Sequence, residues 1–300
     1  MNLVQDLAQK KLITPPKWLP TNVHYLCQMG SVAYGVSSDN SDVDMYGFCI
    51  PEKTEVFPHL RGEIQGFGRQ KQRFEQYQQH HINDPQAAGG KGCEYDLTVY
   101  SIIKFFQLCM ENNPNMVDAL FVPERCIRHM TQIGQLLRDN RRLFLHKGCW
   151  HKFRGYAKSQ MHKMRIKTPK EGKRKDLVEK FGYDVKFAYH IVRLMDEVEQ
   201  ILEGYDLDLE RSRETLKEIR RGEWKEQRIY DYFAHKEPLL EELYYKSALA
   251  HKPDESKIKA LLMQCLETHF GSLEKCVYDE GILASTLREV RDKLNSLSLD

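Results

Sequence analysis

Gly30-Ser31-Val32-Ala33-Tyr34-Gly35, followed by Asp42-Val43-Asp44, is the stretch on which the reading of this chain turns. Val23 to Met29, just before it, is apolar and rich in residues that favour β structure, so it predicts a strand that ends at the Gly-Ser turn. Small residues then run to Asn40, as a turn and short helix would require, and Asp42 to Ile50 predicts a second strand. Asp42 and Asp44 are two apart on that strand, so both carboxylates project from one face. Such a pair can grip one divalent metal and share another, as in-line displacement at phosphorus requires. The Gly-Ser turn brings backbone N–H groups and a hydroxyl to a terminal phosphate, with a glycine permitting close approach. An Asp-x-Asp pair alone is a weak signal, since most alternating acids on exposed strand edges are merely solvated. A third carboxylate one strand later makes the combination more specific, and Asp96, opening Asp96-Leu97-Thr98-Val99-Tyr100, takes that place. Glu94 shares its strand face and is the competing candidate.

Outward from this centre, Arg61 to Gly92 is rich in Gly, Gln and His and reads as a long polar loop or irregular hairpin. Glu94 to Tyr100 predicts the third strand. Ile102, Ile103, Phe106, Cys109 and Met110 recur at helical spacing, and Asn113-Pro114 reads as the N-cap and first residue of a helix to Phe121. Beyond Pro123 strand signals vanish, and helices are expected at Gly148 to Met164, Tyr183 to Leu202, Leu207 to Arg221, Gln227 to Lys246 and Ser256 to Leu266. The expected class is α+β: residues 1–125 form a small mixed sheet with helices, and residues 126–300 form an all-α part.

The 300 residues are 41% hydrophobic and 29% charged, which fits a folded globular protein and argues against disorder. No run approaches the roughly 20 apolar residues of a membrane span. Met1 to Lys17 lacks a signal-peptide core, so a cytoplasmic location is expected. Eight scattered cysteines without a CxxC pair suggest neither a zinc knuckle nor a disulfide framework. The net charge of +2 hides a basic segment, because Lys147 to Lys175 holds eleven Lys or Arg against Glu171 alone. It is either a polyanion-binding surface or a solvated helix face with a basic loop. Trp150, Phe153 and Tyr156 are interleaved with these cations and are read as core, while some cations are read as phosphate contacts. Lys163, Arg165, Lys167, Lys173, Arg174 and Lys175 are the nucleic-acid-binding candidates.

The Gly30-Ser31 turn with Asp42, Asp44 and Asp96 resembles the DNA polymerase β nucleotidyltransferase superfamily. The run Asp96-Leu97-Thr98-Val99-Tyr100, Lys104-Phe105, Asn113-Pro114-Asn115, Tyr183-Asp184-x-Lys186-x-Ala188-x-His190 and Arg193-Leu194 further resembles the nucleotidyltransferases associated with RNA repair, including phage-encoded relatives. The resemblance covers roughly residues 25 to 225. It implies a polymerase-β-like catalytic domain, Mg²⁺ or Mn²⁺ held by Asp42, Asp44 and Asp96, and an NTP, such as ATP, as substrate. An RNA 3′ end, of a damaged tRNA for instance, is the expected acceptor. The same triad also suits transfer of AMP to a protein or small molecule, and an inactive relative would bind RNA or a protein.

Lys186, His190 and Arg193 fall at i, i+4 and i+7, away from the stripe of Phe187, Ile191, Leu194, Val198 and Ile201. With Gly30 and Ser31 they are the nucleotide-binding candidates, set against an ordinary solvated face with Asp184 and Glu197 as local ion-pair partners. Arg141-x4-His146 matches a loose spacing of small helical RNases and is a minor hypothesis. His59, His80 and His81 are expected to be surface residues.

Overall fold

In the computed structural model, residues 1–37, 43–166, 173–273 and 280–297 are described. Among them β1 (Val23–Gln28), β2 (Val43–Cys49), β3 (Gln76–Asp84), β4 (Cys93–Ser101) and β5 (Ile127–Met130) form one sheet in the order β3-β4-β2-β1-β5. β2 and β4 run parallel, and the remaining pairs are antiparallel. The fold is therefore mixed α and β, as expected. The three anticipated strands are present within a residue or two of their expected ends.

Two strands were hidden in the sequence. The polar stretch from Arg61 contains β3, an edge strand whose exposed side gives it Gln and His where a half-buried strand would carry apolar residues. β5 begins at Ile127, past the expected boundary after residue 125; four residues are too few to show an alternation. It completes the sheet beside β1.

Helices begin with α1 (Leu3–Gln9), then the single turns α2 (Lys53–Val56) and α3 (Ala87–Gly90). α4 (Ile102–Met110) is capped by Ser101, and α5 (Pro114–Phe121) by Asn113 with Pro114 at its first position, as expected. α6 (Gln132–Asp139) and α7 (Cys149–Ile166) follow, then α8 (Lys173–Phe181), α9 (Val185–Gly204), α10 (Arg213–Arg220), α11 (Glu226–Lys246), α12 (Glu255–Phe270) and α13 (Glu280–Leu297). Leu207 and Leu209, expected inside a helix, are buried in the loop before α10.

One face of the sheet, with Met45, Leu97 and Val99, packs on α1 and the segment to Leu19. The other face carries Tyr25, Cys27 and Phe48 and belongs to a larger core that continues through α4, α5, α7 and α9 to Leu266 of α12. The second face of the sheet and these helices thus share one apolar core. α9 is buried on almost every side, including Tyr189, Val192, Arg193 and Glu197, because other helices surround it.

Candidate active site

β1 delivers the chain into the 3-10 turn Gly30–Val32, and β2 brings Asp44 back beneath it. Met29 N–H donates to the Asp44 carbonyl at 2.8 Å, tying the end of β1 to this point. Gly30 has φ +68°, and a Cβ there would stand 2.2 Å from Asp44 Oδ2. Only glycine meets both demands, the left-handed backbone and a carboxylate lying against its Cα. Gly35, at φ +65°, is similarly pressed by Glu210 and Arg213.

Asp44 and Asp96 are register partners on the parallel strands β2 and β4. Aligned residues on adjacent strands share a face, so the two carboxylates stand side by side. Tyr46, two residues along β2, senses both: burial, with Tyr100 and then the charges of Asp44 and Asp96 adding, pushes its hydroxyl up to about 12. Asp96 rather than Glu94 is thus the neighbour of Asp44. Asp42 lies outside the described residues, and among those described no three His, Cys, Asp or Glu side chains converge as a metal site. The donor chemistry fits a hard divalent cation nevertheless, since carboxylate oxygens are what magnesium and manganese take. Ser31 follows Gly30 in the turn.

His80 and His81 are exposed, as expected of surface residues, and both also stand beside Asp96. Pairing of β3 with β4 slips between Gln79↔Leu97 and Ile82↔Tyr95, so the two histidines bulge opposite Asp96, with His81 at φ 55°. His81 N–H donates to Asp96 Oδ1 at 2.9 Å, and His80 Nδ1 lies 3.2 Å from Asp96 Oδ2. His81 Nδ1 is 2.5 Å from Glu94 Oε1. Bulges gather beside active sites because they re-aim side chains. A doubled histidine that breaks a strand period was the available sign of this one.

The expected basic stripe on α9 divides. Lys186 is exposed near the helix start, where Asp184 caps the first turn. His190 is partly buried, and burial followed by the charges of Arg193, Arg174, Lys186 and Arg220 drives its pKa well below the ordinary value, leaving a neutral ring among cations. Arg193, expected to reach a phosphate, is only 5% exposed. Its Nη1 donates to Tyr34 Oη and Asp118 Oδ2, and to Glu197 Oε1 at 3.2 Å, while its guanidinium lies over the Tyr34 ring. Tyr34 OH donates to Asp118 Oδ2 at 2.6 Å. Burial pushes both carboxyls up against the pull of Arg193. Arg193 therefore holds the signature turn from behind. Arg125 and Arg220 complete the clamp, donating to the carbonyls of Val32 at 3.1 Å and Val36 at 2.6 Å.

Many cations of the 147–175 segment are engaged within the chain. Arg174 lies 2.8 Å from the buried Asp184 and over the Phe187 ring, and Arg165 lies over Tyr230. Lys175 is 3.5 Å from Glu179, and both Arg154 and Lys158 reach Glu237. Lys163 is partly exposed on α7; Lys167 and the Lys173 side chain lie outside the described residues. Trp150 and Phe153 are core, as read, whereas Tyr156, read with them, is exposed, its hydroxyl accepting from Asn113 Nδ2 at 3.3 Å. His146 is buried with Nε2 at the Met110 carbonyl and Nδ1 accepting from Gly148 N–H, while Arg141 stacks over Phe121, so the RNase spacing marks a packed corner.

A mixed sheet that sets a Gly-Ser turn on one strand acid and aligns a second acid beside it has the layout of the polymerase β superfamily. The chain belongs to the RNA repair pathway DNA polymerase beta family (RlaP), whose profile matches residues 4–264. Nucleotidyl transfer in RNA repair is the role that this family name carries. No curated protein and no solved structure matches the chain. Among the described residues no helix is long and apolar enough to cross a membrane.

Proposed function

We propose that the protein transfers a nucleoside monophosphate from an NTP to the 3′ hydroxyl of an RNA, a damaged tRNA being the substrate that the repair association favours. The observation that carries this reading is the pair Asp44 and Asp96, aligned in register beneath the Gly30-Ser31 turn. Asp44, Asp96 and, from the sequence, Asp42 are the residues to hold Mg²⁺ or Mn²⁺. When bound, the divalent cation supplies charge neutralisation at the phosphates and at the attacking and leaving oxygens. The chain's own groups do the remainder. Backbone N–H groups of the turn and the Ser31 hydroxyl bind the β- and γ-phosphates. Lys186 adds positive charge from the helical part, with Arg193 keeping the turn in place through Tyr34. The acceptor oxygen bonds to the α-phosphorus, the bond to the bridging oxygen breaks, pyrophosphate leaves, and the Asp96 carboxylate takes the hydroxyl proton.

The test is incubation with each α-labelled NTP, Mg²⁺ or Mn²⁺, and RNA bearing a free 3′ hydroxyl. Label is expected in RNA and is expected to fall at least ~100-fold in Asp44→Asn and Asp96→Asn, more than loss of an outer-shell partner causes. Full incorporation by both variants overturns the site. Label in protein instead of RNA moves the acceptor to a protein hydroxyl.

A further inference from the structure

Among the described RNA-binding candidates Arg165, Arg174 and Lys175 are engaged within the chain, and a second region has unengaged positive charge, aromatic rings and a path to the acids. A cleft of about 710 Å³ opens where α4 starts and β3 begins, lined by Pro16, Trp18, Arg73, Phe74, Gln76 and Lys104, a size that suits a nucleotide-sized occupant. Trp18 and Phe74 meet edge to face, 4.9 Å apart, and both are partly exposed. Two acids also line it: Glu75 lies 3.0 Å from Lys104, and Glu55 is held by Arg61. Arg73 is exposed and has no ion-pair partner among the described residues, and the same holds for Arg69 and Lys71 just before it. Phe67, 76% exposed, rises from the same segment.

From this cleft a row of exposed polar side chains follows β3 to the site. Gln76 Nε2 donates to Gln78 Oε1 at 3.1 Å, Gln78 Nε2 is 2.7 Å from His80 Nε2, and His80 Nδ1 is 3.2 Å from Asp96 Oδ2. Gln76 and Gln78 are register partners of Tyr100 and Thr98, so the row lies on the face that carries Asp96. Four residues separate Tyr100 from Asp96, roughly 13 Å at the rise of a strand.

We propose that single-stranded RNA binds here, with a base stacked in the Trp18–Phe74 cleft, phosphates against Arg73, and the 3′ end running along β3 to Asp96. This rests on the reading of RNA as acceptor. Stacking platforms beside cations bind single strands without sequence preference, because every base has a π-face and every phosphate a charge. Trp18 and Phe74 pack on the core of the opposite sheet face, so the strand reaches Asp96 by rounding the β3 edge, where Gln76, Gln78 and His80 are exposed.

Tryptophan fluorescence offers a direct reading. Of the three tryptophans, Trp150 and Trp224 are buried and Trp18 alone faces the cleft. A decamer of uridylate with a fluorescent 5′ end and a free 3′ hydroxyl, added to the full chain without NTP, is expected to quench Trp18 saturably. The quench is expected to vanish in Trp18→Phe. Arg73→Glu, on the surface and remote from the acids, is expected to weaken binding by roughly tenfold and to lower the salt slope by about one. Unchanged anisotropy and salt slope in Arg73→Glu, or no quench while the decamer binds, overturns the cleft. Label entering RNA alongside such a result leaves the transferase reading standing; a decamer that binds in the cleft while labelled NTP never enters RNA keeps the cleft and removes that reading.

Discussion

Gly30 is where backbone conformation and chemistry meet most closely. Its left-handed φ and the 2.2 Å that would separate a Cβ from Asp44 Oδ2 are independent constraints, and an alanine would violate both. The left-handed backbone costs about 1–2 kcal/mol for a residue with a Cβ. Asp44, the movable partner, would swing away to relieve the contact. Gly30→Ala is therefore expected to lose about 1–2 kcal/mol in denaturant unfolding and to lose transfer far beyond what that instability explains. Wild-type turnover in a folded Gly30→Ala protein rules out the close approach as a catalytic feature. At this scale the sequence was informative about position: the turn at Gly30 and Ser31 and the places of Asp44 and Asp96 on their strands were legible, because turn chemistry and strand period are local properties.

At the level of elements, legibility depended on whether the signal was local. α5 announced itself through Asn113 and Pro114. β3 did not, since an edge strand with polar side chains shows little alternation and its bulge at His80 and His81 breaks what remains. The pairing that creates the bulge lies in β4, so no reading of β3 alone reveals that two histidines meet Asp96. α9 shows the same limit. Its Lys186, His190 and Arg193 do share a helix face by period, but Asp118 and Tyr34, distant in sequence, turn the last of them inward. A cation buried between two carboxyls has a definite consequence: without it Asp118 and Glu197 lose their counter-charge. Arg193→Ala is expected to destabilise the fold by about 3–5 kcal/mol, the range found when a buried pair loses one member. Chemical denaturation reads this directly, and a loss below about 1 kcal/mol contradicts the anchoring role.

Across the whole molecule, α12 closes back on the sheet through a histidine contact. His24 of β1 places Nε2 3.0 Å from His269 Nδ1 and Nδ1 2.9 Å from Thr131 Oγ1, and the next residue, Phe270, packs edge to face on Phe57. Burial, then the positive charge that His269 and His129 would bring, lowers the His24 pKa to about 4, and burial lowers His269 as well. Between the ordinary 6.5 and about 4 the unfolded chain binds a proton at His24 that the folded chain does not. Stability is therefore complete above pH 6.5 and falls as the pH drops through that window. The partly exposed ring and solvent screening keep the loss near about 2 kcal/mol, below what full burial would give. Thermal unfolding at pH 7.5 and pH 4.5 measures it, and His24→Gln, which keeps an uncharged hydrogen-bonding side chain, is expected to remove the His24 share of the difference and leave that of His190 and His269. The contact joins residues 245 positions apart, so the His24 share of the pH response reports on closure of α12 against the sheet. If His24→Gln retains the full pH dependence, the acid sensitivity arises elsewhere, and the buried carboxyls cannot supply it: their raised pKa values make stability fall as pH rises, the opposite sign.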